Sequence, residues 1–195
     1  MNLETPRRGS WLIALMLAAL LAGCGDGERD DPTDSMSQQR EKLLLERVAA
    51  DPTDVDACLA LGNHYYGTNR RDLAITMYRR VLEKRPDDDN VRTDLGTCYF
   101  DLGQLDRARQ EYERVLAKNP VKLQAIFNLA ALSAQTGDYE RAVRLWDRVV
   151  QLQPDSQEAH AARQFAKGGR KKLAELKAAG TGGGKEAPTE PPKKE

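Results

Sequence analysis

The sequence predicts an all-α fold: a solenoid of three helical hairpins with a capping helix at each end. The first observation is a repeat, because the prolines that end the blocks stand 34 residues apart, at Pro86, Pro120 and Pro154. The second is that each block contains two stretches with apolar residues at helical spacing. Neither stretch could bury its apolar side alone, so consecutive hairpins are expected to stack on one another.

A capping helix is predicted before the repeats. Ser35 and Gln38 have the spacing of a capping box, which predicts a helix from there to about Ala50. The apolar residues expected to cover the first hairpin are Leu44, Leu45 and Val48.

The three repeats cover residues 55–88, 89–122 and 123–156, and the second shows the pattern of all of them. The apolar stripe of its first helix consists of Leu95, Cys98, Tyr99 and Leu102, and that of its second helix of Leu105, Ala108, Tyr112, Val115 and Leu116. Gly103 separates the two helices. Pro120 follows the second helix and cannot continue it, because proline has no amide hydrogen to donate.

Small residues at repeating positions indicate close helix packing. They are Gly62, Gly96 and Ala130 on the first helices and Ala74, Ala108 and Ala142 on the second. A large residue of each second helix is expected to cover the next hairpin; these are Tyr78, Tyr112 and Trp146. In these features the chain resembles the tetratricopeptide repeat family over about residues 55–156. The family's turn glycine is replaced by Asn69 in the first repeat, and Asn tolerates a left-handed backbone well.

A second capping helix is predicted after Pro154. Asp155 or Ser156 can cap it, and Gly168-Gly169 is expected to end or break it. Its apolar residues, expected to pack on the last hairpin, are Ala159, Ala162 and Phe165. The predicted repeat domain is thus 37–167, and 168–195 is predicted to be a basic, Gly/Pro-rich and largely disordered tail, with a helical continuation over 170–179.

The N-terminal segment has the pattern of an export signal. Arg7 and Arg8 precede an apolar run of 12 residues, 11–22, and such a run rises only about 18 Å as a helix, too short for a ~30 Å hydrocarbon core. The run ends in Leu21-Ala22-Gly23-Cys24, which resembles a bacterial lipoprotein signal. The resemblance implies that 1–23 is cleaved off and that Cys24 is lipidated. An ordinary secretory signal is the alternative.

The lipoprotein resemblance also implies a location in the bacterial cell envelope. The lipid-anchored chain would face the periplasm, and Gly25 in place of an aspartate after Cys24 favours the outer over the inner membrane. The segment 24–36 is acidic and poor in apolar residues, so it is predicted to be a flexible tether.

Composition argues against several classes of function. The 30 basic residues balance 30 acidic ones, which argues against a simple nucleic-acid binder. Cys58 and Cys98 are predicted to be buried thiols, and neither His64 nor His160 has a visible catalytic relay. The acidic run 87–90 suits the start of a helix better than a calcium loop. The sequence therefore predicts no enzyme, cofactor, metal or small-molecule substrate.

The family resemblance implies a concave surface that binds a peptide. Carried over position by position, the candidate groove residues are Leu59, Asn63, Tyr66, Asn90, Thr93, Thr97, Phe100, Gln124, Phe127 and Gln135. The alternative is that the N-terminal helix or the tail fills this face. A clamp for a C-terminal carboxylate is disfavoured, because Leu59, Gln124 and Asn128 stand where the clamp needs basic residues.

The predicted function is a non-catalytic, membrane-anchored interaction scaffold that binds a peptide segment of another envelope protein. One reading is a pilotin-like lipoprotein that assists assembly of an envelope complex. The other is similarity to the repeat domains of cytochrome c maturation, which hold an unfolded apocytochrome.

Overall fold

A computed structural model of the chain describes residues 32–181. These residues form eight α-helices and no strand. The helices are α1 (Pro32–Ala50), α2 (Val55–Gly67), α3 (Arg71–Lys84), α4 (Asp89–Asp101), α5 (Leu105–Lys118), α6 (Leu123–Gln135), α7 (Tyr139–Leu152) and α8 (Gln157–Thr181). Cys24 with the predicted signal, and residues 182–195 of the predicted tail, lie outside the described residues.

Three hairpins, α2–α3, α4–α5 and α6–α7, follow one another, and each packs on the next through neighbouring helices. This confirms the predicted all-α repeat fold. The helix starts agree with simple capping: Asp54 accepts a hydrogen bond from the amide of Ala57 at the start of α2, and Asp88 accepts from the amides of Asn90 and Val91 at the start of α4. The acidic run 87–90 therefore contains a helix cap.

The turn inside each hairpin uses a left-handed residue. The backbone φ is 61° at Asn69, 71° at Gly103 and 85° at Gly137. The amide of the following residue then reaches back to a carbonyl of the helix, as from Arg70 to Tyr65 at 2.8 Å. Asn69 confirms the expectation that asparagine can replace glycine at this turn.

Glycines on the first helices admit a tyrosine ring. A Cβ atom at Gly62 would lie 2.8 Å from Cε1 of Tyr78, and one at Gly96 would lie 2.6 Å from Cε1 of Tyr112. Each ring thus fills the space over the glycine of its own hairpin. The sequence had suggested only that it covers the next hairpin, because spacing does not show which way a ring turns.

The start of the described chain corrects two predictions. α1 already includes Pro32, so residues 32–36 of the predicted tether are helical and Ser35 lies inside the helix instead of capping it. The chain separates into compact units at Arg40, and the packing described here is that of the unit from Glu41 onward. In it, Leu44 and Val48 are buried with the first hairpins, whereas Leu45 is 45% exposed, because it lies on the other side of the helix.

The C-terminal helix also corrects a prediction, because α8 continues through Gly168-Gly169 to Thr181. A Cβ atom at residue 169 would lie only 2.8 Å from Cγ2 of Val143 on α7. Glycine here permits close helix packing, and this contact outweighs its low helix propensity. Ser156 caps α8, as expected, by accepting from the amide of Ala159 at 3.1 Å. No helix within residues 32–181 is long and apolar enough to cross a bilayer.

Candidate functional site

A concave cavity of about 320 Å³ draws side chains from all three hairpins. Its lining residues are Asn63, Tyr66, Tyr78, Asp94, Thr97, Gln124 and Asn128. They lie on α2, α3, α4 and α6, so the cavity exists only because the hairpins stack.

A chain of hydrogen bonds holds one wall of the cavity in place. Thr97 Oγ1 accepts from Asn128 Nδ2 at 3.0 Å and from the hydroxyl of Tyr112 at 3.3 Å, and it donates to the carbonyl of Thr93 at 3.0 Å. Gln124 Nε2 donates to Asn128 Oδ1 at 3.0 Å. Burial raises the pKa of Tyr112 to about 12, so its hydroxyl keeps the proton that it donates. These bonds join α4, α5 and α6.

The first hairpin repeats this arrangement on the opposite wall. The hydroxyl of Tyr78 donates to Asn63 Oδ1 at 2.9 Å, across the same sequence separation as between Tyr112 and Thr97. Burial raises the pKa of Tyr78 far above its ordinary value, which keeps this hydroxyl protonated as well. The amide nitrogen of Asn63, a lining residue, donates no hydrogen bond to any residue in the range 32–181.

Asp94 differs from the other polar groups of the cavity because it is unpaired. Its carboxylate forms no hydrogen bond or ion pair with any residue in the range 32–181, although much of the side chain is accessible. Loss of hydration at the cavity wall raises the pKa of Asp94, and repulsion by Asp88 adds to this, while Lys122 opposes it. The cavity thus contains one carboxylate without a partner.

At one edge of the cavity, the side chain of Arg71 already stacks on the ring of Tyr66. The guanidinium of Arg71 lies 4.0 Å from the ring centroid, and its Nε donates to Asp101 at 2.7 Å. Arg71 also donates to the carbonyl of Tyr66. This arginine is therefore engaged and is not a free charge for a ligand.

The C-terminal helix contributes to the far end of the concave face. The ring of Phe165 on α8 meets Phe127 edge-on at 5.9 Å and stacks on Trp146 at 5.5 Å. Phe165 belongs to the predicted C-terminal cap and packs on the last hairpin, as expected, and its ring contact covers part of Phe127. The cavity residues lie outside these ring contacts.

The structure sorts the predicted groove residues into three groups. The cavity brings together Asn63, Tyr66, Thr97 and Gln124. Leu59 and Phe100 are half-buried and pack on the first core cluster, and Phe127 packs on Phe165. The remaining predicted residues, Asn90, Thr93 and Gln135, are not among those that line the cavity.

Thr93 is a correction to the predicted set. It is only 2% exposed, and its hydroxyl donates to the carbonyl of Asp89 at 2.6 Å, so it contributes to the core side of α4. Asn90 and Gln135 are exposed, and Asn90 accepts a hydrogen bond from Lys122.

Three lining residues were missing from the predicted set: Tyr78, Asp94 and Asn128. Asp94 and Asn128 stand 34 residues apart, at equivalent positions of the second and third repeats, so the clamp position already considered at Asn128 could have pointed to Asp94. For Tyr78 the sequence predicts a packing role only.

The remaining reactive side chains serve the structure. Cys58 and Cys98 are buried and free, and burial raises the pKa of Cys98 to about 12, so this thiol stays protonated. His64 lies 3.3 Å from Glu41, which also pairs with Arg70 at 2.6 Å. Within residues 32–181, no group of three His, Cys, Asp or Glu residues could hold a metal ion.

Comparisons with known proteins agree with the repeat architecture. A family model described as tetratricopeptide repeat matches residues 59–122 and 93–159. The solved structure of MamA is 18% identical over 74% of this chain and 94% of its own, with a TM-score of 0.60. YrrB, a tetratricopeptide repeat protein with an unusual peptide-binding site, is 23% identical over 68% of each chain, with a TM-score of 0.61.

A third similar structure is the first tetratricopeptide repeat domain of Spaghetti (RPAP3) bound to an HSP90 peptide. It is 23% identical over 60% of this chain and 94% of its own, with a TM-score of 0.54. At sequence identities this low, the similarity to these structures shows a shared fold only. No curated protein matches the sequence.

Proposed function

The chain belongs to the tetratricopeptide repeat family, and we propose that it is an interaction scaffold that binds a peptide segment of a partner protein in its concave cavity. The observation that carries this proposal is a cavity built jointly by three hairpins and lined by polar groups that hydrogen bonds already hold in place. Groups fixed before binding lose little conformational entropy when a ligand arrives.

The size of the cavity suits a peptide segment. Its volume, about 320 Å³, is near the lower end of the range typical of ligand pockets, which is about 300–1,000 Å³. The walls combine tyrosine rings with amide groups, and amides can pair with a peptide backbone. Two proteins of similar fold, YrrB with its peptide-binding site and Spaghetti with its bound HSP90 peptide, support the same use of the surface here.

Site-specific photo-crosslinking tests this proposal. Gln124 lines the cavity and is exposed, whereas Gln110 is equally exposed on α5 and lies away from the cavity lining. A photoreactive amino acid in place of Gln124 should trap a partner protein in intact cells, and digestion with mass spectrometry should place the link on one peptide segment of it.

The substitution at Gln110 is the matched control. It should trap less of that partner, or none. Equal yields of the same adduct from both positions would argue that the partner does not enter the cavity, and a cavity probe that traps no protein at all would contradict the proposed function.

We further propose that the partner belongs to the bacterial cell envelope and that Cys24 carries a lipid anchor facing the periplasm, at the outer membrane. The support is the sequence of residues 1–24: two arginines, a short apolar run and small residues before the cysteine. A lipid anchor of more than one acyl chain would hold the chain at the membrane without any apolar surface on the repeats. A scaffold that assists assembly of an envelope complex, as a pilotin does, fits this location.

The C24S variant tests the anchor. The unchanged chain should incorporate radiolabelled palmitate and sediment with membranes, and C24S should lose both the label and the membrane fraction. A labelled C24S protein would show that the lipid, if any, is elsewhere. This outcome would leave the peptide-binding proposal intact, because the cavity lies in the repeats.

A further inference from the structure

We infer that the cavity selects a partner peptide by a cationic side chain, a lysine or an arginine, with Asp94 as its counter-ion. This inference rests on the proposed function and adds to it the chemical class of the ligand. Three features of the described residues carry it: an unpaired carboxylate, an amide oxygen of the same lining that accepts no hydrogen bond from residues 32–181, and the lack of a basic side chain in that lining.

The carboxylate of Asp94 has no hydrogen-bond or ion-pair partner among residues 32–181, and the one positive charge that acts on it, that of Lys122, lies outside the cavity lining. Two other exposed carboxylates on the first helices of the hairpins have partners: Asp101 accepts from Arg71 at 2.7 Å, and Asp56 accepts from Arg85 at 2.8 Å. A bound peptide would remove more water from Asp94. Such desolvation is costly for a charged group unless the ligand supplies an opposite charge.

The cavity also offers further hydrogen-bond acceptors. Gln124 gives its amide nitrogen to Asn128, so its Oε1 has no hydrogen bond from residues 32–181. An ammonium or guanidinium group has three to five N–H donors, about as many as one carboxylate and an amide oxygen can accept together. The half-buried ring of Tyr66 supplies aromatic surface against which the methylene groups of a lysine or arginine can pack.

The opposite preference, for an acidic ligand, has little support in the same residues. The lining contains no lysine or arginine. Of the basic groups close to the lining, Arg71 is paired with Asp101, and Lys122 donates to the neutral amide of Asn90 and keeps its positive charge outside the lining. An acidic group in this cavity would face Asp94 without a counter-ion, and like charges at short range disfavour binding.

Peptide selection with the full chain and with variants at Asp94 tests the inference. A random peptide library displayed on phage is the probe. The unchanged chain should enrich peptides with Lys or Arg at one fixed position, D94N should lose that preference, and D94K should instead enrich Asp or Glu there. Asp106 is exposed on α5 with no hydrogen bond or ion pair among the described residues, so D106N is the matched control and should select as the unchanged chain does.

Affinities of one enriched peptide then measure the contact. Replacing its basic residue by glutamine should weaken binding to the unchanged chain about tenfold, the effect of losing one charge-assisted hydrogen bond. D94N should weaken binding of the original peptide by a similar factor, and the two changes together should cost little more than either alone, as expected for two partners in one contact.

The failures of the two proposals can be told apart. Enriched peptides without a fixed basic residue, or equal affinity of D94N and the unchanged chain, would overturn the role of Asp94 and leave peptide binding in place. No enriched peptide from the unchanged chain would contradict peptide binding itself, and the cationic preference with it.

Discussion

The first two hairpins and the third share one backbone plan but use the same repeat position differently. In the first two, a tyrosine lies over a glycine, and its hydroxyl bonds to a polar side chain of the cavity, Asn63 or Thr97. In the third, the equivalent residue is Trp146, and Ala131 stands where the polar side chain would be. Its indole Nε1 is buried with no hydrogen-bond partner in the described part of the chain.

The tyrosines thus support the wall of the cavity, whereas Trp146 packs against the C-terminal helix. Trp146 is covered by Phe165 of α8, stacked at 5.5 Å, and belongs to a core cluster that includes Ala162 and Ala166 of the same helix. The tyrosines of the first two hairpins belong to the other cluster, and their hydroxyl groups donate to Asn63 and Thr97 of the cavity lining. The same repeat thus forms a polar cavity between neighbouring hairpins and an apolar contact with the last helix, where the array ends.

The largest expected effect comes from filling the space under a tyrosine. In G96A the new Cβ would lie 2.6 Å from Cε1 of Tyr112, so the ring and α4 must move apart. We expect a loss of about 2 kcal/mol in the free energy of unfolding, typical of an overpacked core, measured by urea denaturation.

The control for this change is Gly168 on α8, where an added Cβ would meet nothing within 4 Å. G168A should leave stability unchanged or raise it by up to about 1 kcal/mol, because alanine favours a helix more than glycine does. Equal losses in both variants would contradict the idea that the tyrosine site requires a glycine.

A smaller effect is expected from removing the tyrosine hydroxyls. Y112F deletes the hydrogen bond to Thr97 and Y78F the one to Asn63, and each should lower the free energy of unfolding by about 1 kcal/mol. Y112F should also loosen Asn128, because both side chains bond to the same hydroxyl of Thr97. Side-chain amide NMR signals report this directly, and an unmoved Asn128 signal in Y112F would argue that the wall is held without the tyrosine.

The repeat fold could be predicted from the sequence because every repeat position recurs without a shift, so that each of Gly103, Ala108 and Tyr112 has counterparts in register. Capping and turn residues followed from local chemistry, as at Asn69, whose left-handed φ of 61° is one that few side chains tolerate. These features depend on spacing and backbone geometry, which a single sequence contains.

The misses depend on side-chain directions and on contacts between helices, which spacing does not reveal. Gly169 looks like a helix breaker until Val143 is seen 2.8 Å from where its Cβ would be. Thr93 lies at a position that faces the groove in the family, yet its hydroxyl turns to the carbonyl of Asp89. Only the structure shows that Asp101 and Asp56 are paired, whereas Asp94 is not.

A hydrogen-bond acceptor introduced next to Trp146 would test the comparison between the third hairpin and the first two. A131T copies the residue that Thr97 provides one repeat earlier and offers its hydroxyl to Nε1 of Trp146. Valine has the same shape without the hydroxyl, so A131V is the matched control. We expect A131T to be more stable than A131V by about 1 kcal/mol or less in urea denaturation. Equal stabilities would indicate that the indole already has a partner, such as a water molecule.

The smallest expected effect concerns the unpaired carboxylate, and its sign follows from the direction of its pKa. Because partial burial and Asp88 raise the pKa of Asp94, its ionisation destabilises the folded chain; the penalty is present above the folded pKa and absent at pH values below the unfolded one. Glu41 is the opposite case, since the bond from Arg70 lowers its pKa and contributes stability that is lost as the pH falls through the folded pKa.

The pair D94N and E41Q therefore should shift the melting temperature in opposite directions. At pH 7, D94N should melt slightly higher than the unchanged chain and E41Q lower. As the pH falls from 7 towards 3, the difference for D94N should vanish below the unfolded pKa of Asp94, and that for E41Q should shrink as the pH falls through the lowered folded pKa of Glu41. Thermal scans by circular dichroism across this range measure both. A lower melting temperature for D94N at pH 7 would mean that Asp94 already has a stabilising partner, and the carboxylate would then no longer be free to receive a cationic ligand.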